Sequence, residues 1–317
     1  MPIFSASIPS QVPLTHNEPQ LTKFDRILLS TFSFAAKQNT PLLQVKDYLA
    51  SDQDPPISAR AIQLLTSPRV AVVGDFARDL FKTLTILSPE EINLNVRLVL
   101  LSAALIRSSD NFIDAKDFDK SQSQAALHTI LNWLKVGQAG QEHYFSNSEH
   151  WSVVKDLSLD VHAVLKVLAP EIGTSFMSGM ARMVELDQQG AKNRSLEVSY
   201  QIGQVTMSEL FSSPKAFARP QYHAFLRIMG GCLGLSCILS DFIDRSKDLE
   251  SGQVTFATTG DWRISDLFKI VRREAAEILS TIFNLEAEQR RDCSRLLVRS
   301  LMLAAFTWQK KFDRSLG

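Results

Sequence analysis

The chain is 317 residues long and 45% of its side chains are hydrophobic, enough to bury a large core in one big domain or two small ones. Its 34 lysines and arginines balance its 34 aspartates and glutamates, so no net field draws it onto nucleic acid or an anionic membrane surface. Three cysteines (Cys232, Cys237, Cys293) cannot complete a disulfide framework and lack the paired short spacing of a zinc site, which reads as reduced core thiols in a cytoplasmic protein.

Residues 1–20 are polar and proline-rich and read as a flexible arm, with residues 21–317 forming one helical domain. The arm has no basic stretch followed by an apolar one, so no secretory signal is expected. Around Ser51 to Ser58 the chain reads as a loop, and Val70 to Asp75 is a strand-like run. A single glycine there offers no phosphate-cradling loop, and the alternating strands and helices of a dinucleotide fold are absent.

From Ser88 onward apolar residues recur three and four apart, as in Val96, Leu98, Leu101, Leu105 and Ile106, and in Leu157, Val161, Val164, Leu165 and Leu168. That is the period of amphipathic helices, and the fold class is all-α. Ser88-Pro89-Glu90-Glu91 supplies a cap, a first-turn proline and acids at a positive helix end, and Ser265-Asp266 marks a second start. No segment approaches the roughly 20 uninterrupted apolar residues of a membrane span, although an enzyme of lipid-like substrates could still touch a bilayer surface.

Two acidic clusters follow apolar helices. On a helix, Asp110, Asp114 and Asp117 fall within roughly 60° of arc, and so do Asp241, Asp244 and Asp248. Stacked carboxylates repel unless cations neutralise them. Either cluster alone is more often a solvated face, but both adjoin apolar runs, with Phe242 and Ile243 directly before Asp244. Two such faces on one cavity would hold Mg²⁺ through a few carboxylates and the oxygens of a diphosphate. The six histidines offer no rival metal site, and no Gly-x-Ser-x-Gly elbow or nucleophilic-cysteine motif appears.

Over about residues 75–262 the chain resembles the squalene/phytoene synthase branch of the class I isoprenoid synthases. The matching elements are Lys82-Thr83-Leu84, then Arg107, Asp110 and Asp114 in an Arg-x-x-Asp-x-x-x-Asp pattern, the helix Tyr200-Gln-Ile-Gly203-Gln-Val205, and Ser240, Asp244, Asp248 and Gly252 in the second motif. The resemblance implies a helical bundle around a central active-site cavity. It also implies Mg²⁺ on Asp110, Asp114, Asp244 and Asp248, and diphosphate contacts from Lys82 and Arg107. Asp117, Ser240 and Asp241 are further metal candidates, Arg245 a further diphosphate contact and Tyr200 a catalytic candidate. The family's asparagine is Ser240 here, its usual arginine before the aspartate is Ile243, and its typical tyrosine is Ala103.

The chemistry expected is ionisation of a linear prenyl diphosphate, farnesyl or geranylgeranyl, by a terpene synthase that cyclises or deprotonates the resulting cation. Head-to-head coupling of two substrates is the runner-up, disfavoured by the lost tyrosine and arginine. A non-catalytic prenyl-lipid binding protein is the third reading. Phe112, Phe211, Phe225 and Trp308 are candidate pocket aromatics beside Tyr200, although for most of them a plain core role is the more ordinary reading. Glu185 and Asp187 are polar candidates without a firm role, and a homodimer is open.

Overall fold

The computed structural model describes residues 57–65, 68–115, 120–138, 149–208, 219–243, 245–252, 254–260 and 262–298. The expected arm over residues 1–20, Asp117, Phe211, Asp244 and Trp308 lie outside the described residues, and so does the side chain of Asp114.

Eleven named helices are described: α1 (Ala59–Leu65), α2 (Pro68–Leu84), α3 (Pro89–Ala115), α4 (Lys120–Val136), α5 (Glu149–Val167), α6 (Pro170–Asn193), α7 (Leu196–Ser208), α8 (Pro220–Ile243), α9 (Arg245–Ser251), α10 (Phe256–Thr259) and α11 (Ile264–Phe283). A twelfth, α12, covers 287–298. Among the described residues there is no strand, only an isolated bridge between Arg194 and Thr255. The all-α expectation holds.

The run read as strand-like, Val70 to Asp75, is instead the first half of α2. Its helical period becomes visible only downstream, where Ala77, Leu80, Phe81 and Leu84 are buried on one face. The α3 start is as read: the Ser88 N–H donates to Glu91 Oε2 at 2.8 Å and the Glu91 N–H to Ser88 Oγ at 3.2 Å, a reciprocal capping box. α11 begins slightly earlier than its expected signal, with Arg263 as the extended cap residue.

Among the described residues, most buried apolar side chains form one core. In it Val96, Leu100 and Leu101 of α3 meet Val154, Leu157, Val161 and Val164 of α5, and Trp133 and Trp151 pack at 4.8 Å between ring centres. Buried serines in these helices satisfy their hydroxyls locally, Ser102 on Leu98 O and Ser109 on Leu105 O. A smaller cluster joins Leu196 and Tyr200 of α7, Ile238 of α8, Phe256 of α10 and Ile270 of α11. Phe242 and Trp262 pack against it edge-on, 4.8 Å apart.

Helices α7 and α8 cross at backbone distance. A Cβ on Gly203 would lie 2.4 Å from Leu233 O, and one on Gly234 would lie 2.6 Å from the Tyr200 ring. Only hydrogen fits there. Two helices, α3 over Pro89–Asp110 and α8, reach the length and hydropathy of a membrane span. Both carry buried charge within the fold, Arg97 in α3 and Asp241 in α8, as core helices do.

Candidate functional site

Asp110 lies near the C-terminal end of α3 and Asp241 near that of α8, with Asp248 on the following α9. Cys237 lies one turn before Asp241. Burial pushes its thiol up to about 11; the Arg194 charge opposes the rise, and the charges of Asp241 and Asp110 add to it. Asp110, exposed on α3, and Asp241, buried on α8, therefore share one electrostatic neighbourhood. Asp248 on α9 is buried as well, while Ser240 is half-buried and Arg107 and Arg245 are exposed.

Asp241 is held on both carboxylate oxygens. Arg194, at the C-cap of α6, donates from Nη2 to Oδ1 at 2.9 Å, and the Ser199 hydroxyl donates to Oδ2 at 2.5 Å. Arg194 Nε also reaches Ser199 Oγ at 3.3 Å. A carboxylate only 5% exposed would be costly without such partners. Arg194 is held in turn through its backbone bridge to Thr255, itself the capping residue of α10. Neither Arg194 nor Ser199 is marked by sequence spacing, because their partner lies on another helix.

Lys82 is not brought to the acids. It is exposed at the end of α2, where Arg219 donates its N–H to Leu84 O at 3.1 Å and its guanidinium to Thr83 O at 3.1 Å. That contact is beside the first turn of α8, whereas Asp241 closes the same helix about 30 Å further along at 1.5 Å per residue. Gly74 of α2 packs on Leu100 of α3, and from there Lys82 and Asp110 lie in opposite directions. A diphosphate at the acidic ends is beyond the reach of Lys82.

Tyr200 is buried with its ring against Gly234, and its hydroxyl is near Glu274 and Arg227 rather than the acidic ends. Burial, with the Glu274 charge, pushes it up to about 12, so it stays a neutral phenol at neutral pH. Around it lies a cluster absent from the sequence reading: buried Glu274 pairs with Arg227 at 3.2 Å, and the Arg273 guanidinium stands 5.0 Å over the Tyr200 ring while gripping Glu197 at 3.2 Å. The periodicity of α11 shows Glu274 within an apolar face, and that is the one signal that could have flagged it.

Of the proposed pocket aromatics, Phe112 packs on Trp151 at 4.8 Å and Phe225 on Phe76 at 5.8 Å, both as core residues. Glu185 is exposed and pairs with Arg182 along α6 at 3.0 Å, and Asp187 is exposed. Among the described residues no group of three histidine, cysteine or acidic side chains is close enough to hold a metal ion.

No family model matches the chain, and no curated protein or solved structure matches it either.

Proposed function

We propose that this chain is a class I isoprenoid synthase-like enzyme of the squalene/phytoene synthase type that ionises a linear prenyl diphosphate, farnesyl or geranylgeranyl. It releases diphosphate and cyclises or deprotonates the cation, as a terpene synthase does. The observation that carries this reading is that Asp110 and Asp241, each near the end of an apolar helix, both act on the Cys237 thiol. Acids from two helix ends acting on one point would suit a diphosphate and its cations.

The described donors do not by themselves make a Mg²⁺ centre. Asp241 meets Arg194 on one oxygen and Ser199 on the other, and each oxygen keeps a further lone pair. The proposed ligands are Asp110, Asp241 and Asp248 with Asp114, Asp117 and Asp244. Bound there, Mg²⁺ would supply the positive charge that a departing diphosphate needs. The chain's own cations would orient that group: Arg107 lies one turn before Asp110, and Arg245 follows α8 directly. Asp241 also orders Arg194, which keeps a guanidinium at the site.

A second reading, a non-catalytic prenyl-lipid binder, draws on the same engaged Asp241. Incubation with Mg²⁺ and, separately, geranyl, farnesyl and geranylgeranyl diphosphates tells them apart. The enzyme reading expects Mg²⁺-dependent diphosphate release and a hydrocarbon of the substrate's carbon count, abolished in Asp114→Asn and Asp244→Asn. A doubled carbon count would instead identify head-to-head coupling. Release from none of the three, with prenyl diphosphate still bound, would overturn the enzyme in favour of the binder.

A further inference from the structure

The helix α11 is apolar on two faces. One face, with Ile270 and the Glu274 side chain, is buried against α7 and α8. The other is bare: Ile264 and Phe268 are each 65% exposed, Phe283 is 69% exposed, and Val271, Ala275 and Leu279 lie open between them. At about 100° per residue these six side chains fall within roughly 120° of arc, a continuous stripe along the whole helix. Scattered exposed apolar residues need no account, but a stripe of this length does.

The charges around the stripe say what it fits. Every acid of α11 is already engaged: Asp266 by Lys269 at 2.9 Å, Glu274 by Arg227 at 3.2 Å, and Glu277 by Arg227 at 3.7 Å. Arg272 lies on the edge of the stripe and makes no ion pair among the described residues. At the far end the Arg290 guanidinium stacks 5.9 Å from the exposed Phe283 ring, held by the Leu285 carbonyl at 3.0 Å. An apolar helical stripe edged by uncompensated arginines matches a bilayer surface carrying anionic headgroups, where aromatic and aliphatic side chains enter the acyl boundary and arginines meet phosphates. The chain's overall balance of 34 cationic and 34 acidic side chains makes this a local field rather than a global one. A second copy suits the stripe less well, since pairing it with itself would bury arginines with no acid of α11 left to meet them.

We propose that the exposed face of α11 is a docking surface for an anionic lipid bilayer. It stands independently of the isoprenoid reading. The test is co-sedimentation of the 317-residue chain with phosphatidylcholine vesicles, with and without phosphatidylserine, at low and raised salt. Binding should require phosphatidylserine and weaken with salt. Phe268→Asp/Phe283→Asp should lose more than about tenfold in affinity, the scale of removing buried aromatic surface. Arg272→Ala should lose about fivefold, the effect of one basic residue near an anionic surface. These exposed positions leave the core untouched, and an unchanged circular dichroism melt would verify that. Three outcomes would overturn the proposal: no vesicle binding by the unmodified chain, equal binding to both vesicle types, or a dimer in sedimentation velocity that Phe268→Asp dissociates.

Discussion

Removing Arg194 and removing its whole ion pair are different perturbations. Arg194→Met takes the paired cation away from the buried Asp241 carboxylate, and should cost about 3 kcal/mol in denaturant unfolding. Replacing both, as Arg194→Met with Asp241→Leu, removes the buried charge and should recover most of that loss. An additive double variant would mean that the pair is not coupled as its 2.9 Å separation implies. Cys237 reports the neighbourhood independently. Its thiol is held up to about 11 by burial and by the added charges of Asp241 and Asp110. Asp110→Asn should therefore move the inflection of its alkylation rate to lower pH, and an unmoved profile would separate α3 from α8 at this point. Asp110 and Asp241 stand out in the sequence because carboxylates beside apolar runs are unusual there. Arg194 does not, because an arginine at a helix end has an ordinary meaning until its partner is seen.

At the level of the helix, glycines decide how closely α7 and α8 meet. Gly203→Ala would press a methyl against the Leu233 carbonyl at 2.4 Å, a backbone atom that cannot swing aside. A cost of about 1–3 kcal/mol is expected, the range for overpacking a tight contact. Gly173 of α6 is the control: its added methyl would meet nothing closer than 3.8 Å, so alanine there should raise stability by up to about 1 kcal/mol through helix propensity. Thermal melts of the two variants moving in opposite directions would show that the crossing, not glycine as such, is what matters. Sequence reading picked out Tyr200 and Gly203 as parts of one motif. The structure gives both a packing reason: the Tyr200 ring and the Gly203 backbone each face α8. Such a pairing has no signature in periodicity, which tells that a helix has an apolar face but not what meets it. The Val70 to Asp75 misreading has the same origin, since a short apolar run fits strand and helix alike and length alone decides.

Across the whole molecule, the helical class follows from the 3.6-residue period, whereas the ties that close the bundle join residues far apart in the chain. One of them joins Ser58 to Asp160: the Ser58 N–H and hydroxyl donate to Asp160 Oδ2 at 3.1 and 2.9 Å, while Ser58 Oγ accepts from the Ala61 N–H at 3.2 Å and so caps α1. Burial raises the Asp160 carboxyl above its ordinary value of 3.8, against the lowering effect of the Ser58 hydrogen bonds and the Arg97 charge and with a small push from Asp156. A carboxyl whose folded value is raised binds its proton more tightly folded than unfolded. Its contribution to stability is therefore complete below about 3.8 and is lost as pH rises through the raised value. Asp160→Asn keeps an oxygen to accept from Ser58 but cannot titrate. Denaturant unfolding of the two proteins from pH 3 to pH 7 should thus show the asparagine variant gaining on the parent as pH rises, with the change centred above 3.8. A difference that stayed level would mean that Asp160 is as well solvated folded as unfolded, and that the tie to α1 does not desolvate it. A difference moving the other way would mean that the Ser58 hydrogen bonds and Arg97 outweigh burial, and that α1 is held by a carboxylate stabilised in its charged form.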